Sequence, residues 1–489
     1  VMLEDSRADV FIHNADMGAA LSGTFEGLPG IDLRRVVWAQ LPQGNPSVAL
    51  NADSLLYILF TSGSTGRPKG IAMRHGVLSQ LVAWQITRMP GSARTLMFAS
   101  PCFDVGYQEV AVALCSGATL VQTDADQRRD FSLLLALMED QAVECVYLPY
   151  AVLQLLAEAA LRLDRRLPAL RQIITAGEQL KLTEELAAWL RRLPRCRLFN
   201  QYGPTETHVV SNSDVDAGDG RMLPPIGTPA STAILRVLDD SLQLVPPGVV
   251  GELYLGGALA RGYVGRPSLT AQRFVADPLD DHAGRLYRTG DLARWDEQGQ
   301  LEYLGRVDHQ VKIRGFRVEP GEVEAALLAL QPVREVVVVA QQLANSSRLV
   351  AYVVAHPGAA VDAAALREGL RQSLADYMLP SAFVELQALP LNANGKVDRS
   401  RLPDPAVVSS TTHEEPSGDT EQGLARIWCE LLSAERVGRR DNFFELGGHS
   451  LLAAQMVARV QSTLHTSLAV KDVFEAPELA AMPSRIATS

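Results

Sequence analysis

The chain has 489 residues, too many for a single compact core, so two to four domains are expected. Hydrophobic residues make up 47% of it and charged residues 21%, which is ordinary for a globular protein. A net charge of -11 offers no basic field to a nucleic acid, no apolar stretch is long enough to cross a bilayer, and the acidic start "VMLEDSRADV" lacks the pattern of a signal peptide. We therefore expect a cytoplasmic protein that binds neither nucleic acid nor membrane.

The cysteines and histidines show no sign of cross-links or of a metal centre. The five cysteines are scattered without a C-x-x-C pair, and the nine histidines show neither H-x-x-x-H nor H-E-x-x-H spacing. This pattern favours reduced thiols over disulfides and argues against a transition-metal site.

Residues 50–305 alternate short β-rich runs such as "LLYILFTS" and "RQIITAG" with helical stretches such as "TEELAAWLRRL". This alternation predicts an α/β architecture in which helices cover the sheets. From about Gly305 the pattern changes to a smaller α+β unit, with strands such as "RLVAYVVA" and helices such as "GEVEAALLAL". The change predicts a second, smaller folding unit.

The last part of the chain is helical. Residues 402–419 are rich in Pro, Ser, Thr and acidic residues and predict an exposed linker. After it, Leu424, Ile427, Trp428 and Leu431 recur at helical spacing, and "SLLAAQMVARVQ" carries a second apolar stripe. We expect residues 418 to about 485 to form a small helical bundle.

The loop "LFTSGSTGRPKG", residues 59–70, follows an apolar run and combines hydroxyl side chains, glycines and one lysine. Glycines let several backbone N–H groups converge on one anion, so the loop predicts a phosphate site. It does not match G-x-x-x-x-G-K-[ST], because Lys69 follows Pro68 and Gly70 stands where a magnesium-binding hydroxyl belongs. A P-loop ATPase is therefore excluded by the motif.

This loop is the first of six motifs that occur in a fixed order. They are "TSGSTGRPKG", "FNQYGPTET" (199–207), "GELYLGGALARGYVGRP" (251–267), "YRTGDLARW" (287–295), "GRVDHQVKIRGFRVEPGEVE" (305–324) and "LNANGKVDR" (391–399). Together they resemble the adenylation domains of nonribosomal peptide synthetases, over nearly the whole region before the linker. The later stretch "DNFFELGGHSLL" resembles the peptidyl carrier domain of the same synthetases.

The resemblance implies a domain order. We expect an α/β large adenylation subdomain at 1–307, an α+β small mobile subdomain at 308–403, a linker at 404–417 and an all-α four-helix carrier domain at 418–489. Family members have a substantial N-terminal portion before the stretch that resembles "MLEDSRADV", so we expect that portion of the large subdomain to be missing here.

The implied chemistry explains the residue types. A carboxylate attacks the α-phosphorus of ATP and pyrophosphate leaves, so positive charge and aligned donors must offset the developing charge. The resemblance implies ATP, Mg²⁺ and 4'-phosphopantetheine. It assigns the β- and γ-phosphates to Thr61, Ser62, Gly63, Ser64, Thr65, Gly66 and Lys69. It assigns further nucleotide contacts to Gly177, Glu178, Asn200, Tyr202 and Thr205, with Tyr202 against the adenine.

The resemblance also assigns catalytic roles. Glu206 is the magnesium ligand, Asp291 binds the ribose hydroxyls, and Arg306 assists at the ribose or phosphate. Lys396 lies between the substrate carboxylate and the α-phosphate. Taken singly, such residues are more often surface polar groups or helix caps, so these roles depend on the resemblance.

Two further roles belong to the transfer step. Asp308 is the hinge about which the small subdomain swings. Ser450 carries the phosphopantetheine, although a serine at the start of a helix is also a preferred N-cap.

The amino-acid pocket follows in the same way. The family's pocket positions correspond to Asp104, Val105, Gln108, Tyr147, Ile174, Ala176, Gln201, Val209, Val210 and Lys396. Asp104 would pair with the α-ammonium of the substrate, and the apolar walls would exclude ionised side chains. The set resembles the pockets of proline-activating domains, so we predict L-proline, with pipecolate, a substituted proline or glutamine as alternatives.

Two other interpretations remain. An acyl-CoA ligase or a luciferase shares the phosphate loop and the hinge but lacks the fused carrier domain. A catalytically silent, carrier-bearing scaffold would have lost Glu206, Asp291 or Lys396, and all three are present. Expected partners are the amino acid, a phosphopantetheinyl transferase and neighbouring condensation or other synthetase domains of a pathway for an antibiotic or other secondary metabolite. The need for a small MbtH-like accessory protein is left open.

Overall fold

The structure is a computed structural model. It describes residues 2–13, 28–63, 67–89, 94–218, 220–280, 284–308, 310–313, 316–342, 347–391, 397–405, 414–432, 434, 436–444, 446, 448, 450–464, 466–468 and 470–488. Ser64, Thr65, Gly66 and Lys396 lie outside the described residues. No described helix combines the length and the apolar character needed to cross a membrane.

A seven-stranded sheet forms the centre of the large subdomain, a name we use for the described residues up to 308. Its strands, in spatial order, are Thr228–Pro229, Ser211–Val215, Arg197–Tyr202, Gln172–Ala176, Cys145–Pro149, Arg94–Met97 and Thr119–Gln122. The five strands from Arg197–Tyr202 onward pair in parallel, and the other two are antiparallel. Its helices are His75–Arg88, Asp104–Cys115, Ala125–Arg129, Phe131–Asp140, Tyr150–Arg162 and Glu184–Arg191.

An antiparallel sheet forms the other part of the large subdomain. Its strands are Ile234–Leu238, Gly251–Gly256, Arg285–Trp295 and Phe274–Ala276, with Leu301–Arg306 also paired to Arg285–Trp295 and the helix Pro267–Arg273 alongside. A separate antiparallel hairpin joins Leu55–Thr61 to Lys69–Arg74. Before it lie the helix Met2–Ser6, the parallel pair Phe11–His13 and Gly30–Asp32, and the 3-10 helix Trp38–Gln40.

The small subdomain, our name for described residues 310–405, begins with the antiparallel hairpin Val311–Ile313 and Phe316–Val318. The helix Pro320–Leu328 follows, and then a sheet in which Val333–Gln342 pairs antiparallel with Ser347–Ala355 and Ala382–Glu385 pairs parallel with Ser347–Ala355. The remaining elements are the helix Ala363–Arg371 and the 3-10 helices Asp376–Met378 and Arg399–Arg401. The predicted α+β unit is confirmed.

The described part of the carrier region contains three α-helices, Gly418–Leu432, Ser450–Leu464 and Val470–Glu475, and the 3-10 helix Met482–Arg485. The predicted four-helix bundle thus has a 3-10 turn as its shortest member, and Thr466–Ser467 also pairs with Ala487–Thr488. Its core includes Leu424, Ile427 and Trp428, which the helical spacing predicted. Residues 406–413 of the predicted linker lie outside the described residues.

Local sequence explains several element boundaries. The Asp130 carboxylate accepts from the N–H groups of Ser132 and Leu133 at the start of Phe131–Asp140, and Thr183 Oγ1 accepts from Leu186 N at the start of Glu184–Arg191. These caps satisfy N–H groups that have no partner inside their helices. The run of valines in Val333–Gln342 favours a strand, because β-branched side chains pack well on a pleated sheet.

Candidate functional site

Glu206 lies in the turn after the strand Arg197–Tyr202 and is completely buried. Tyr263 Oη donates to Glu206 Oε1 at 2.7 Å, and Arg317 Nη1 donates to Glu206 Oε2 at 2.8 Å. Lys69 Nζ lies 3.7 Å from Glu206 Oε1 and 5.1 Å from the centre of the Tyr263 ring. Two cations from distant parts of the chain therefore face one buried carboxylate.

The charges in this cluster shift one another's pKa values. Burial raises the pKa of Glu206, but Arg317 and Lys69 together outweigh burial and hold it below its usual range. Burial, followed by the charge of Arg317, lowers the pKa of Lys69 to about 8 in spite of the attraction of Glu206. At neutral pH the cluster is thus a carboxylate facing a guanidinium and a readily deprotonated ammonium.

The phosphate-loop candidate joins the strands Leu55–Thr61 and Lys69–Arg74, whose last pair is Thr61 and Lys69. Among the described residues, the buried Thr61 Oγ1 has no hydrogen-bond partner. A Cβ on Gly63 would lie 2.1 Å from the Arg67 carbonyl oxygen, so only glycine fits there.

The small subdomain contacts this loop directly. The Gly63 N–H donates to Glu322 Oε2 at 3.0 Å, and Ser62 Oγ donates to the Arg317 carbonyl at 2.6 Å. In this arrangement the Glu322 carboxylate accepts a hydrogen bond from a loop N–H group that the sequence analysis assigned to phosphate.

Asp291 lies in a second polar cluster with Tyr202, Arg306 and Asp308. Tyr202 Oη donates to Asp291 Oδ2, and Arg306 Nη1 donates to Asp291 Oδ1 at 2.5 Å. Arg306 also forms a bidentate pair with Asp308, at 2.6 Å from Nε and 2.7 Å from Nη2. Burial opposes the charge of Arg306, but hydrogen bonding to Asp308 and the charge of Asp291 raise its pKa further. The arginine therefore links the predicted ribose-binding residue to the predicted hinge.

A cleft of 1230 Å³ opens next to this cluster, at the junction of the two subdomains and the carrier region. Its lining includes seven predicted site residues: Gly177, Glu178, Asn200, Gln201, Tyr202, Arg306 and Asp308. Gly177 has a φ of +91°, a backbone conformation that favours glycine. Asn200 Nδ2 donates to the Pro225 carbonyl at 2.9 Å, and Glu178 Oε2 accepts from Ala151 N at 3.0 Å. Thr205 is half-buried in the turn that leads to Glu206.

The predicted amino-acid pocket divides among three apolar clusters. Val105, Tyr147 and Ile174 pack together, whereas Val209 packs with Leu81 and Val210 belongs to the core around Tyr202. Asp104 begins the helix Asp104–Cys115 and Ala176 ends the strand Gln172–Ala176. Gln108 and Gln201, both buried, are hydrogen-bonded to each other at 3.0 Å.

Sequence reasoning missed several residues that the structure brings to these sites. Arg317 and Glu322 stand inside a quoted motif, and the alternation of "KIRGFRVE" in a strand hairpin was a signal that one charge faces inward. Trp84 packs against both the Ile174 cluster and the Val209 cluster. Gln85, on the same helix as Trp84, had no signal in any motif.

In the carrier region Ser450 is the first residue of the helix Ser450–Leu464. Leu452, Gln455 and Arg459 on this helix line the cleft described above, and Gln455 Nε2 donates to Glu158 Oε2 of the large subdomain at 3.3 Å. The helix that starts at the predicted attachment serine therefore faces the cleft that Asn200 and Tyr202 line.

Glu206 is the carboxylate that the sequence assigned to a magnesium ion. Among the described residues, no group of three or more His, Cys, Asp or Glu side chains is arranged to hold a metal ion. Glu206 offers the hard carboxylate oxygen that Mg²⁺ prefers, and phosphate and water oxygens would have to supply the other ligands. The carboxylate therefore fits the ion, and in this structure one of its oxygens accepts from Arg317.

Known families match three consecutive regions of the chain. Residues 1–264 match the AMP-binding enzyme family, residues 322–396 the AMP-binding enzyme C-terminal domain, and residues 422–484 the phosphopantetheine attachment site. The matches follow the order of the two subdomains and the carrier region.

Two individual proteins illustrate what the chain is similar to. The chain is 40% identical to gramicidin S synthase 2 of Brevibacillus brevis, over 88% of this chain and 10% of that protein. It is 39% identical to a dimodular nonribosomal peptide synthase of Bacillus subtilis (strain 168), over 99% of this chain and 20% of that protein. The chain thus spans only a small part of these relatives.

A solved structure has the same arrangement of domains. It is holo-PA1221, described as a nonribosomal peptide synthetase protein containing adenylation and carrier domains, with a TM-score of 0.79 and 28% identity over 98% of this chain and 80% of that one. With three family matches in this order, the chain belongs to the AMP-binding, adenylate-forming enzymes, in the adenylation–carrier arrangement of nonribosomal peptide synthetases.

Proposed function

We propose that the chain activates one amino acid as an aminoacyl adenylate, with ATP as second substrate, and loads it on its own carrier domain. The observation that carries the proposal is the completely buried Glu206 between Lys69 and Arg317, next to the phosphate loop. A carboxylate buried in this way is costly unless cations or a metal ion face it. The loop lysine and this carboxylate together suit a magnesium-bound polyphosphate.

Each cluster has a part in the activation step. Lys69 and the loop N–H groups hold the β- and γ-phosphates and offset charge as pyrophosphate leaves. Asp291, held in place by Tyr202 and Arg306, accepts from the ribose hydroxyls. Glu206 would hold the magnesium ion, which would supply positive charge at the phosphates. Lys396 stays a prediction of the sequence, because it lies outside the described residues.

The small subdomain must leave the phosphate loop before ATP binds. Glu322 accepts from Gly63 N, and Arg317 occupies Glu206. Both contacts use groups that the polyphosphate and its magnesium ion need. Asp308, at the boundary of the two subdomains, is the hinge of this movement. The domain boundaries that we propose are 307/308 between the subdomains, 403/404 before the linker and 417/418 before the carrier domain.

Loading takes place at the cleft. The phosphopantetheine on Ser450 supplies the thiol that accepts the acyl group. The helix Ser450–Leu464 lies at this cleft: Leu452 and Gln455 line it, and Gln455 donates to Glu158 of the large subdomain. A serine hydroxyl is the chemical group to which the phosphate of this arm is joined, so Ser450 fits the role.

L-proline is the proposed amino acid. Val105, which follows Asp104 in the helix Asp104–Cys115, packs with Tyr147 and Ile174 into an apolar wall. A compact hydrocarbon ring fits such a wall, whereas an ionised side chain would be buried without a partner. Pipecolate, a substituted proline and glutamine remain the alternatives. Pipecolate is one methylene larger than proline, which changes binding by only about 1–3 kcal/mol, and Gln108 and Gln201 are the neutral polar groups that would suit glutamine.

Wider assignments rest on the relatives. Matches named as gramicidin and tyrocidine synthases support a place in a larger peptide-antibiotic synthetase, with a phosphopantetheinyl transferase and neighbouring domains as partners. The cytoplasmic location stays a prediction of the sequence, which does not decide whether an accessory protein is needed.

Amino-acid-dependent exchange of labelled pyrophosphate into ATP tests the proposal on the full chain. We expect proline to give the strongest exchange among the common amino acids. Absence of exchange with every amino acid would overturn amino-acid activation, and exchange with fatty or aryl acids alone would favour the acyl-CoA ligase. Leucine, phenylalanine or glutamine well above proline would refute the pocket assignment but leave the enzyme class.

A further inference from the structure

Four buried polar side chains form a continuous hydrogen-bonded chain beside the predicted amino-acid pocket. Gln85 Nε2 donates to Tyr147 Oη at 2.6 Å, and Gln108 Nε2 donates to Gln85 Oε1 at 2.7 Å and to Gln201 Oε1 at 3.0 Å. Each of the four side chains is at most 2% exposed. Tyr147, Gln108 and Gln201 were pocket residues by sequence, and Gln85 links two of them.

Gln108 is placed to meet a ligand held at Asp104. The two residues are four positions apart in the helix Asp104–Cys115, so their side chains lie on one face. A substrate whose ammonium pairs with Asp104 is therefore held at the helix face that also carries the Gln108 amide.

The orientation of that amide follows from its neighbours. Gln201 Nε2 lies 3.9 Å from Met89 Sδ, a weak acceptor, which leaves Gln201 Oε1 for Gln108. Gln85 presents its own oxygen to Gln108, while its nitrogen donates to Tyr147 Oη. A flipped Gln108 amide would bring its oxygen against two other oxygens.

As a result, Gln108 has both of its N–H donors engaged and its oxygen unused. Gln108 Oε1 is inaccessible to water and has no hydrogen-bond partner among the described residues. An unpaired buried acceptor is destabilising, and a donor that reaches it is favoured.

We propose that Gln85 is a positioning residue for amino-acid selection: it fixes the Gln108 amide so that an acceptor, not a donor, is the free polar atom beside the substrate side chain. The site then takes small neutral side chains, either hydrocarbon or bearing a hydroxyl donor, and rejects side chains that end in a carboxylate. This inference rests on the proposed function. It adds Gln85, which lies outside the predicted pocket. It also predicts that a proline with a hydroxyl on its ring is accepted, because that hydroxyl donates to Gln108 Oε1.

The test compares wild-type full chain with Gln85→Met, which keeps a side chain of similar length but removes both hydrogen bonds. Pyrophosphate exchange is measured with L-proline, 4-hydroxy-L-proline and L-glutamate. We expect the KM for both prolines to rise about tenfold in the variant. The KM for ATP and kcat should change by less than about twofold. The ratio of kcat/KM for L-proline to kcat/KM for L-glutamate should fall.

Two variants provide controls. Gln80→Met makes the same change on the exposed face of the same helix, where Gln80 Oε1 accepts from Thr232 Oγ1, and should leave every constant unchanged. Gln85→Glu keeps an acceptor toward Gln108 and should retain most of the wild-type preference for L-proline over L-glutamate. If Gln85→Met does not fold, Tyr147→Phe removes only the hydroxyl that engages Gln85 Nε2 and must show the same fall in this preference.

The outcomes separate the two levels of the argument. Absence of amino-acid-dependent exchange in the wild type overturns the proposed function and this inference with it. Exchange in the wild type with an unchanged amino-acid KM in Gln85→Met and Tyr147→Phe overturns this inference alone. A variant that loses only thermal stability, with all constants intact, shows a purely structural role and also overturns it.

Discussion

Arg317 and Glu206 form a buried ion pair, with 2.8 Å between Nη1 and Oε2, that joins the small subdomain to the large one. The carboxylate has no solvent exposure and the guanidinium side chain is 12% exposed. The protein therefore places its own cation where a magnesium ion is expected, and its own carboxylate, that of Glu322, on the phosphate loop. The first two predictions follow from this pair of contacts.

Arg317→Met should destabilise the chain by about 3–5 kcal/mol, because it leaves the buried Glu206 carboxylate with Lys69 as its remaining cation. Urea unfolding of the full chain measures the change. The matched variant Arg334→Met breaks an exposed pair with Glu335 and should cost no more than about 1 kcal/mol. Equal effects of the two substitutions would contradict the importance of the buried pair.

Glu322→Gln should lower the KM for ATP in pyrophosphate exchange by about fivefold. The carboxylate competes with the polyphosphate for the Gly63 N–H, and an uncharged acceptor competes less well by about 1 kcal/mol. Glu324→Gln, on the same helix but bonded to Val338 N, serves as the control. A higher KM in Glu322→Gln would show that this carboxylate assists ATP binding instead of opposing it.

Lys69 predicts an alkaline limit to ATP binding. Burial lowers its pKa to about 8, so its charge is present below that pH and lost as the pH rises through it. We expect the KM for ATP to rise above pH 8 in the wild type. In Lys69→Arg the guanidinium stays charged, so the rise should move to higher pH. If the KM for ATP rises over the same pH range in both proteins, the titrating group is not Lys69.

Ser450→Ala should leave adenylate formation intact and abolish covalent loading. Adenylation and attachment use separate regions, and Ser450 begins the helix that lines the cleft. The measurement is transfer of labelled amino acid to the chain after treatment with a phosphopantetheinyl transferase. Labelling of the alanine variant to the wild-type level would remove Ser450 from the attachment role.

Lys396→Ala should lower the adenylation rate by orders of magnitude and nearly spare thioester formation from preformed adenylate. Loss of a donor that stabilises transition-state charge costs roughly 2.7–4 kcal/mol in comparable sites. Pyrophosphate exchange and single-turnover loading measure the two steps separately. An unchanged exchange rate would place Lys396 outside the reaction.

Much of the fold could be predicted because its signals are local. The valine run of Val333–Gln342 and the spacing of Leu424, Ile427 and Trp428 each set the type of one element. The motifs around Gly63 and Glu206 likewise occupy short stretches. Element type, domain order and family therefore followed from the sequence by itself.

Only the tertiary structure decided which charges meet. Gly63 and Glu322 are 259 residues apart, and Glu206 and Arg317 are 111 apart, so no local pattern relates them. Gln85 reaches Gln108 and Tyr147 because a helix packs beside a strand and another helix. Such pairings depend on how distant elements pack and exclude water, since a buried polar group must find its partner wherever the fold brings one.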